Sequence, residues 1–169
     1  MKAGVIAAKV FRRLTRRLYS WRWLDAWLRR RGRLLFPDVD LLSGANAGFM
    51  LLASPRDFIS YSMFFYGEYD PRLTNLMRHH IFEGATCIDM GAERGWFTLL
   101  MARLVGPTGR VDSFEPFPQN YERLCRNIDL NSFGWVNAYQ QAVSDTDGTL
   151  TFVKPEAVHT DYDFLTDCG

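Results

Sequence analysis

The chain has 169 residues, of which 47% are hydrophobic, and it carries a formal net charge of +1. This length is typical of one domain, and so high an apolar share excludes an intrinsically disordered protein. No uncharged apolar run reaches the about 18 residues that a membrane-spanning helix needs, and the three cysteines lack the spacing of metal ligands, so no metal site is predicted.

The beginning of the chain differs in charge from the rest. Residues 1–35 contain eleven Lys and Arg and one Asp, whereas residues 36–169 contain nine basic and eighteen acidic side chains. Apolar residues recur every three or four positions and predict a basic amphipathic helix over residues 1–36; they are Val10, Leu14, Leu18, Trp21, Leu24 and Leu28. Four roles stay open for this helix: binding to an anionic membrane surface through residues 1–35, which its tryptophans favour, packing on the domain, binding to nucleic acid, or service as a mitochondrial presequence.

A looser stretch over residues 37–57 contains Gly44, Gly48 and Pro55, and it predicts a linker. The domain itself is expected over residues 58–169, and its first helix over residues 71–81. His79 and His80 are neighbours in this helix. The pair could act as a catalytic base or as two metal ligands, but adjacent helix positions diverge by about 100°, so both do not easily bind one ion and neither is assigned a role.

The most informative stretch predicts a strand, a glycine turn and a helix. The strand is expected over residues 85–90, the turn from Gly91 to Gly95, and the helix over residues 95–105, an arrangement with which α/β folds bind nucleotides. A second strand, predicted over residues 110–115, ends on Glu115, twenty residues after Gly95. An acidic side chain at that separation accepts hydrogen bonds from the ribose hydroxyls of a ligand that lies across the two strand ends.

The spacing of the glycines indicates which nucleotide fits the turn. A dinucleotide-binding turn has the pattern G-x-G-x-x-G, whose middle glycine lets the backbone approach the pyrophosphate. Here Glu93 occupies that position, and its carboxylate would repel the phosphates of NAD or FAD. No Lys-Ser or Lys-Thr follows Gly95, which excludes a P-loop. S-adenosylmethionine has a ribose and an adenine but no phosphate, and it is the predicted cofactor.

Three residues around the turn are predicted to bind the methionine end of this cofactor. Gly91 and Gly95 would let the backbone come close, and the helix that starts at Gly95 would point N–H groups at the cofactor carboxylate. Asp89 would bind the ammonium group directly or through water. The structural alternative is a tight turn that Asp89 only caps.

Further contacts are predicted on either side of this stretch. A helix over residues 120–130 is followed by a third parallel strand over residues 136–142. At the end of this strand Ala142, Val143 and Asp145 would lie near the adenine, although ordinary loop chemistry explains Asp145 nearly as well. Tyr66, Gly67 and Tyr69 precede the first strand and would close over the cofactor, although aromatic residues at such positions are as often part of the core. Residues 149–153 alternate in polarity and predict an edge hairpin.

Several segments, in this order along the chain, resemble the FkbM family of class I methyltransferases. They are Phe65-Tyr66-Gly67-Glu68-Tyr69-Asp70-Pro71, Ile88-Asp89-Met90-Gly91-Ala92, Gly95-Trp96-Phe97-Thr98-Leu99, Phe114-Glu115-Pro116, Asn127-Ile128-Asp129-Leu130-Asn131 and Ala142-Val143-Ser144-Asp145. The resemblance covers residues 58–153. One departure is Glu93, where the family usually has Asn, and it puts the affinity and geometry of cofactor binding in question.

The resemblance implies an α/β, Rossmann-like fold that binds S-adenosylmethionine and transfers its methyl group to a hydroxyl oxygen of a sugar or secondary metabolite. The implied cofactor-binding residues are Tyr66, Gly67, Asp89, Gly91, Ala92, Gly95, Glu115, Ala142 and Asp145. The expected partner is thus a small-molecule hydroxyl acceptor rather than a nucleic acid, in a cytoplasmic protein, peripheral at the membrane if the basic helix binds there.

A missing segment raises an alternative to an active enzyme. Family members continue to a fourth core strand, typically with an Asp-x-Glu-Gly pattern near the substrate, and this sequence has no such pattern. The sequence therefore resembles the N-terminal, cofactor-binding part of a methyltransferase. A truncated, non-catalytic fragment that binds the cofactor or is tethered to a membrane is the alternative to an O-methyltransferase, and Glu93 disfavours an oxidoreductase.

Overall fold

The computed structural model describes residues 41–53 and 66–149, together with residues 60, 62 and 63. The helices and strands within this part of the chain are β1 (Leu41–Gly44), β2 (Met50–Ala53), α1 (Pro71–His80), β3 (Thr86–Met90), α2 (Trp96–Val105), β4 (Arg110–Phe114), α3 (Pro118–Asn131) and β5 (Val136–Tyr139). Strands alternate with helices from β3 onward, which confirms the predicted α/β class.

A parallel sheet forms the centre of the fold. Its strand order is β3-β4-β5, and the register runs from Thr86 opposite Arg110 to Met90 opposite Phe114. The parallel pairing predicted from the sequence is confirmed, although β5 ends at Tyr139 rather than at residue 142. Because parallel strands end at one edge of a sheet, β3 and β4 deliver the residues that end them to a common place.

Helix α2 supplies much of the core. Leu99, Leu100, Ala102 and Val105 are at most 1% exposed, and they pack with Val111 of β4 and other buried apolar side chains. A helix this apolar is stable only when it is covered on most sides, so burial rather than intrinsic propensity holds it in place. Its first turn is therefore fixed relative to the ends of β3 and β4.

The prediction of a linker over residues 37–57 is wrong for residues 41–53. Strands β1 and β2 form an antiparallel hairpin, and Leu51 and Ala53 of β2 are fully buried in the core. The edge of β2 is hydrogen-bonded by two side chains of α3, Asn127 and Asn131. The glycines of this stretch predict a loop. Residues 50–53 nevertheless form a strand, because the strand is buried against the core and hydrogen-bonded by side chains of α3.

Some predictions concern residues outside the part that the structure describes. These are the basic helix over residues 1–36 and the hairpin strand over residues 150–153. Among the described residues, no helix is both long enough and apolar enough to cross a membrane. The division of the chain into a basic helix and a separate domain thus stays a prediction.

Candidate functional site

A cavity of about 220 Å³ lies at the carboxyl end of β3. Its walls come from the end of β3, the turn that follows it, the first turn of α2 and the segment before α1; the lining residues are Met63, Tyr69, Asp89, Gly91, Ala92, Glu93, Arg94, Trp96 and Phe97. This is the edge of the sheet at which α/β folds bind ligands.

The turn between β3 and α2 has an unusual backbone. Gly91, Glu93 and Gly95 all have positive φ angles, of 80°, 49° and 90°. A Cβ atom on Gly95 would lie 2.6 Å from Cδ1 of Leu124, whereas one on Gly91 would meet nothing within 4 Å. A side chain at position 95 would therefore force the buried Leu124 of α3 to shift, whereas the space beside Gly91 is open.

Hydrogen bonds hold this turn against β4. The backbone N–H groups of Gly91 and Ala92 both donate to the carbonyl oxygen of Phe114, at 2.9 and 3.0 Å. The next N–H group, that of Glu93, donates to Oε2 of Glu115 at 2.8 Å. Three successive N–H groups are therefore bound by the end of β4, and the shape of the cavity wall depends on that strand.

Glu115 is only 2% exposed, and both of its carboxylate oxygens accept backbone hydrogen bonds. Oε1 accepts from the N–H group of Phe117 at 2.9 Å, in addition to the bond from Glu93 to Oε2. The side chain does not line the cavity. Each carboxylate oxygen can accept two hydrogen bonds, so the bonds seen here leave acceptor capacity on both.

Asp89 is the buried carboxylate of the cavity wall. It is 9% exposed, and Oδ2 accepts a hydrogen bond of 2.5 Å from the Thr98 hydroxyl. Burial raises the pKa of Asp89, the hydrogen bonds from the hydroxyl and backbone of Thr98 lower it, and the nearby charge of Glu115 raises it, with a net increase. A carboxylate in this setting gains from a cationic ligand, because such a ligand offsets both the burial and the repulsion.

The first turn of α2 borders the same cavity through Trp96 and Phe97. Gly95 is the N-cap residue and, as a glycine, it gives no side-chain hydrogen bond to the first N–H groups of the helix. The backbone N–H group of Thr98, in this first turn, donates to the Asp89 carboxylate. A helix N-terminus favours such an anion. Trp96 is 3% exposed and stacks edge-on against Phe49, and its Nε1 is buried without a partner among the described residues.

Asn127 supports the turn from the side of α3. Its amide is fully buried: Nδ2 donates to the carbonyl oxygen of Arg94 at 2.8 Å, and Oδ1 accepts from the N–H group of Leu52 at 2.7 Å. Arg94 itself donates from its guanidinium to the Ser60 hydroxyl. One asparagine thus connects the hairpin to the turn that lines the cavity.

The structure brings together some of the predicted residues and not others. Asp89, Gly91 and Ala92 line the cavity, and Gly95 is the N-cap residue of the adjacent helix. Glu115 holds the turn through its hydrogen bond with the N–H group of Glu93. The remaining four lie outside the lining; they are Tyr66, Gly67, Ala142 and Asp145. The predicted role of each residue in cofactor binding stays a prediction.

The residues outside the lining have local structural contacts. The carbonyl oxygens of Tyr66 and Gly67 accept hydrogen bonds from Asn46 in the hairpin, at 2.9 and 2.7 Å. Asp145 is exposed beyond β5, where its carboxylate accepts from the Ser144 hydroxyl. His79 is exposed on α1 with Nδ1 against the carbonyl oxygen of Asn75, and within the described part of the chain no cluster of three or more side chains suits a metal ion.

Sequence reasoning missed several members of the wall. Arg94, Trp96 and Phe97 line the cavity although none is a predicted site residue. Arg94 and Trp96 flank Gly95, so proximity to the glycine turn is a signal for both. In the sequence, Asn127 and Thr98 stand out only as parts of longer motifs, because their contacts exist only in the folded chain.

Part of the chain is similar in sequence to methyltransferases. It is 41% identical over 64 residues to the methyltransferase sdnD of Sordaria araneosa, which covers 37% of this chain and 24% of that protein. It is 28% identical over 78 residues to the protein-L-isoaspartate O-methyltransferase of Caenorhabditis elegans, covering 46% and 35%. Among solved structures, TYW2 of P. horikoshii in complex with MeSAdo has a TM-score of 0.49 and 20% identity, over 66% of this chain and 39% of that one.

These similarities are partial. The chain spans about a quarter to two fifths of the length of these proteins. No family model matches the chain, so the resemblance to the FkbM family stays a prediction. One of these relatives is named as an enzyme that acts on protein, so the comparisons do not support restricting the acceptor to a small molecule. They also give no support for setting nucleic acid aside as a partner.

Proposed function

We propose that the chain is the cofactor-binding part of an S-adenosylmethionine-dependent methyltransferase. The observation that carries the proposal is that Asp89 and the first turn of α2 lie side by side in the wall of one cavity. The Asp89 carboxylate suits an ammonium group. The N–H groups of the first helical turn other than that of Thr98, which donates to Asp89, suit a carboxylate. An amino acid zwitterion, such as the methionine end of the cofactor, presents both charges at once.

The size of the cavity supports the same assignment. About 220 Å³ is below the roughly 300–1,000 Å³ of pockets that enclose a whole ligand of drug size. The volume suits one end of an extended ligand, and Asp89 and Gly91 would hold the methionine end there. In this proposal the adenosine extends beyond the cavity, toward the end of β4.

Glu115 is proposed to accept hydrogen bonds from the ribose. Its position at the end of β4 and the remaining acceptor capacity of its carboxylate support this role. Its bond to the N–H group of Glu93 adds a second role, because it fixes the turn that lines the cavity. The phosphate-free cofactor also fits the charge of the wall, which contains the carboxylates of Asp89 and Glu93.

The proposed reaction is transfer of the methyl group to an oxygen nucleophile, a hydroxyl of a sugar or secondary metabolite. When bound, the cofactor supplies an electrophilic methyl group on a sulfonium. The described residues would contribute by holding it in a fixed direction, since orientation of the reacting groups supplies much of the rate in such a displacement. The partial similarity to two methyltransferases supports methyl transfer in general, and the oxygen acceptor rests on the sequence resemblance.

The test is a binding titration of wild type and Glu115→Ala with S-adenosylmethionine. Loss of hydrogen bonds that involve a charged acceptor, at about 1.5–3 kcal/mol each, should weaken binding at least about tenfold. Glu122→Ala is the matched control, because that carboxylate is exposed on α3 and is not one of the predicted cofactor-binding residues. Equal affinity of wild type and Glu115→Ala would contradict the ribose assignment.

A further inference from the structure

Two buried hydroxyl groups form a hydrogen-bonded chain beneath Asp89. Thr98 in α2 and Ser113 in β4 are both 0% exposed. The Ser113 hydroxyl donates to Oγ1 of Thr98 at 3.1 Å, and the Thr98 hydroxyl donates to Oδ2 of Asp89 at 2.5 Å. A hydroxyl has one proton to donate, so the bond from Ser113 leaves the Thr98 proton for the carboxylate and fixes the direction of the chain.

We propose that Thr98, oriented by Ser113, is a positioning residue that holds the Asp89 carboxylate ionised and aimed at the cationic amino group of the cofactor. The inference rests on the proposed function and assigns a role to a side chain that does not line the cavity. The geometry supports this role, because Thr98 of helix α2 bonds to the carboxylate directly and Ser113 of strand β4 bonds to Thr98. Rotation of the Asp89 side chain would break the 2.5 Å bond and leave the buried Thr98 hydroxyl without its acceptor.

The charges around Asp89 explain why such a device is needed. Glu115 lies at the end of the neighbouring strand and, by its charge, favours the neutral form of Asp89. Glu93, Arg94 and Tyr69 line the same cavity, so the lining contains a second carboxylate and a guanidinium besides Asp89. Since burial and Glu115 both raise the pKa of Asp89, the hydrogen bonds of Thr98 are the interactions that favour the charged form.

The experiment compares two ligands on four proteins: wild type, Thr98→Val, Thr98→Ser and Ser113→Ala. The ligands are S-adenosylmethionine and 5′-methylthioadenosine, which keeps the nucleoside but lacks the amino acid. Thr98→Val preserves the shape and removes the hydroxyl, and it should weaken S-adenosylmethionine about tenfold, or about 1.4 kcal/mol. Affinity for methylthioadenosine should stay within about twofold. Thr98→Ser should restore binding, and Ser113→Ala should lie between wild type and Thr98→Val.

A pH profile supplies a readout that general loss of packing would not move. Binding of the ammonium group requires ionised Asp89, so affinity falls as the pH drops through the pKa of that carboxyl. In Thr98→Val this pKa should rise, and the loss of affinity should begin at higher pH than in wild type. Carboxyl carbon NMR of the ligand-free proteins should show the same upward shift directly.

Different outcomes separate the possible failures. Equal loss of both ligands in Thr98→Val, or an unchanged pKa of Asp89, would show that Thr98 only supports the fold. Unchanged binding of S-adenosylmethionine by Thr98→Val would overturn the positioning role while leaving the proposed function intact. Failure of wild type to bind S-adenosylmethionine would overturn the proposed function and this inference with it.

Discussion

Asn127 connects the hairpin to the cavity wall, and its replacement by Asp perturbs that connection with almost no change of shape. In Asn127→Asp the bond from the N–H group of Leu52 to Oδ1 can persist, because a carboxylate also accepts. The bond to Arg94 cannot, since a carboxylate oxygen would face the Arg94 carbonyl oxygen at the present 2.8 Å. The side chain is 0% exposed, so the new charge is also buried.

The expected loss of stability follows from these contacts. A lost hydrogen bond costs about 0.5–1.5 kcal/mol and an unsatisfied buried group about 1–3 kcal/mol, so we expect the free energy of unfolding to fall by about 2–4 kcal/mol at pH 7. With a slope of about 2 kcal/mol per molar urea, the midpoint of unfolding should fall by about 1–2 M. Tryptophan fluorescence can follow the transition, since Trp96 and Trp135 are in the described domain.

The loss of stability in Asn127→Asp should depend on pH. The new carboxyl should have a raised pKa in the folded state, because burial and the Arg94 carbonyl both oppose its charge. In its protonated form, this carboxyl could again donate to that carbonyl. The difference from wild type should therefore shrink as the pH falls toward and below the raised pKa, and grow as the pH rises above the ordinary value.

Asn131→Asp is the matched control. Asn131 lies one turn further along α3 and donates to the carbonyl oxygens of Met50 and Asn127, but it makes no bond to the turn. We expect both variants to lose stability and only Asn127→Asp to lose affinity for S-adenosylmethionine in folded protein. Unfolding of Asn127→Asp at the same urea concentration as wild type would show that this connection does not hold the turn.

Three further predictions concern the glycine turn, the buried carboxylate and the basic segment. In urea titrations, Gly95→Ala should lower the free energy of unfolding by about 2–4 kcal/mol, because the backbone there is left-handed and the new Cβ would contact Leu124. Gly91→Ala should lower it by only about 1–2 kcal/mol, because only the backbone is strained, and equal losses would contradict the packing argument. Asp89→Asn should raise the urea midpoint at pH 7, because the raised pKa of Asp89 means that its ionised form destabilises the fold, and it should abolish binding of S-adenosylmethionine. The gain in stability should vanish as the pH falls through that pKa, and a lower midpoint at pH 7 would count against this account. Replacement of the four arginines in residues 12–17 by Glu should release the chain from anionic liposomes in sedimentation assays, since each basic residue contributes about 1 kcal/mol to membrane binding. Unchanged sedimentation would exclude the membrane role of the basic segment.

The sequence predicts those elements whose signals are local. The glycine turn and the apolar run after it predict β3 and α2 to within one residue, because both the strand and the helix depend on neighbouring positions. The hairpin is missed because β2 is held by contacts that are distant along the chain, including the bond from Leu52 to Asn127, 75 residues away. No local pattern contains that partner.

The site is predicted in part for the same reason. Asp89 and Gly91 belong to the turn motif, and they do line the cavity. Glu115 is expected to face a ligand as a charged strand-end residue, but the structure places both of its oxygens on backbone N–H groups of the chain. The sequence could not show that Glu93, at a positive φ, turns its own N–H group toward Glu115.

Isothermal titration decides whether this cavity binds S-adenosylmethionine rather than a dinucleotide. The 169-residue chain is titrated with S-adenosylmethionine and, separately, with NADH. We expect saturable binding of S-adenosylmethionine and much weaker binding of NADH, because Glu93 and Asp89 repel its phosphates. Tighter binding of NADH, or no heat with S-adenosylmethionine at all, would show the assignment of the cavity to be wrong.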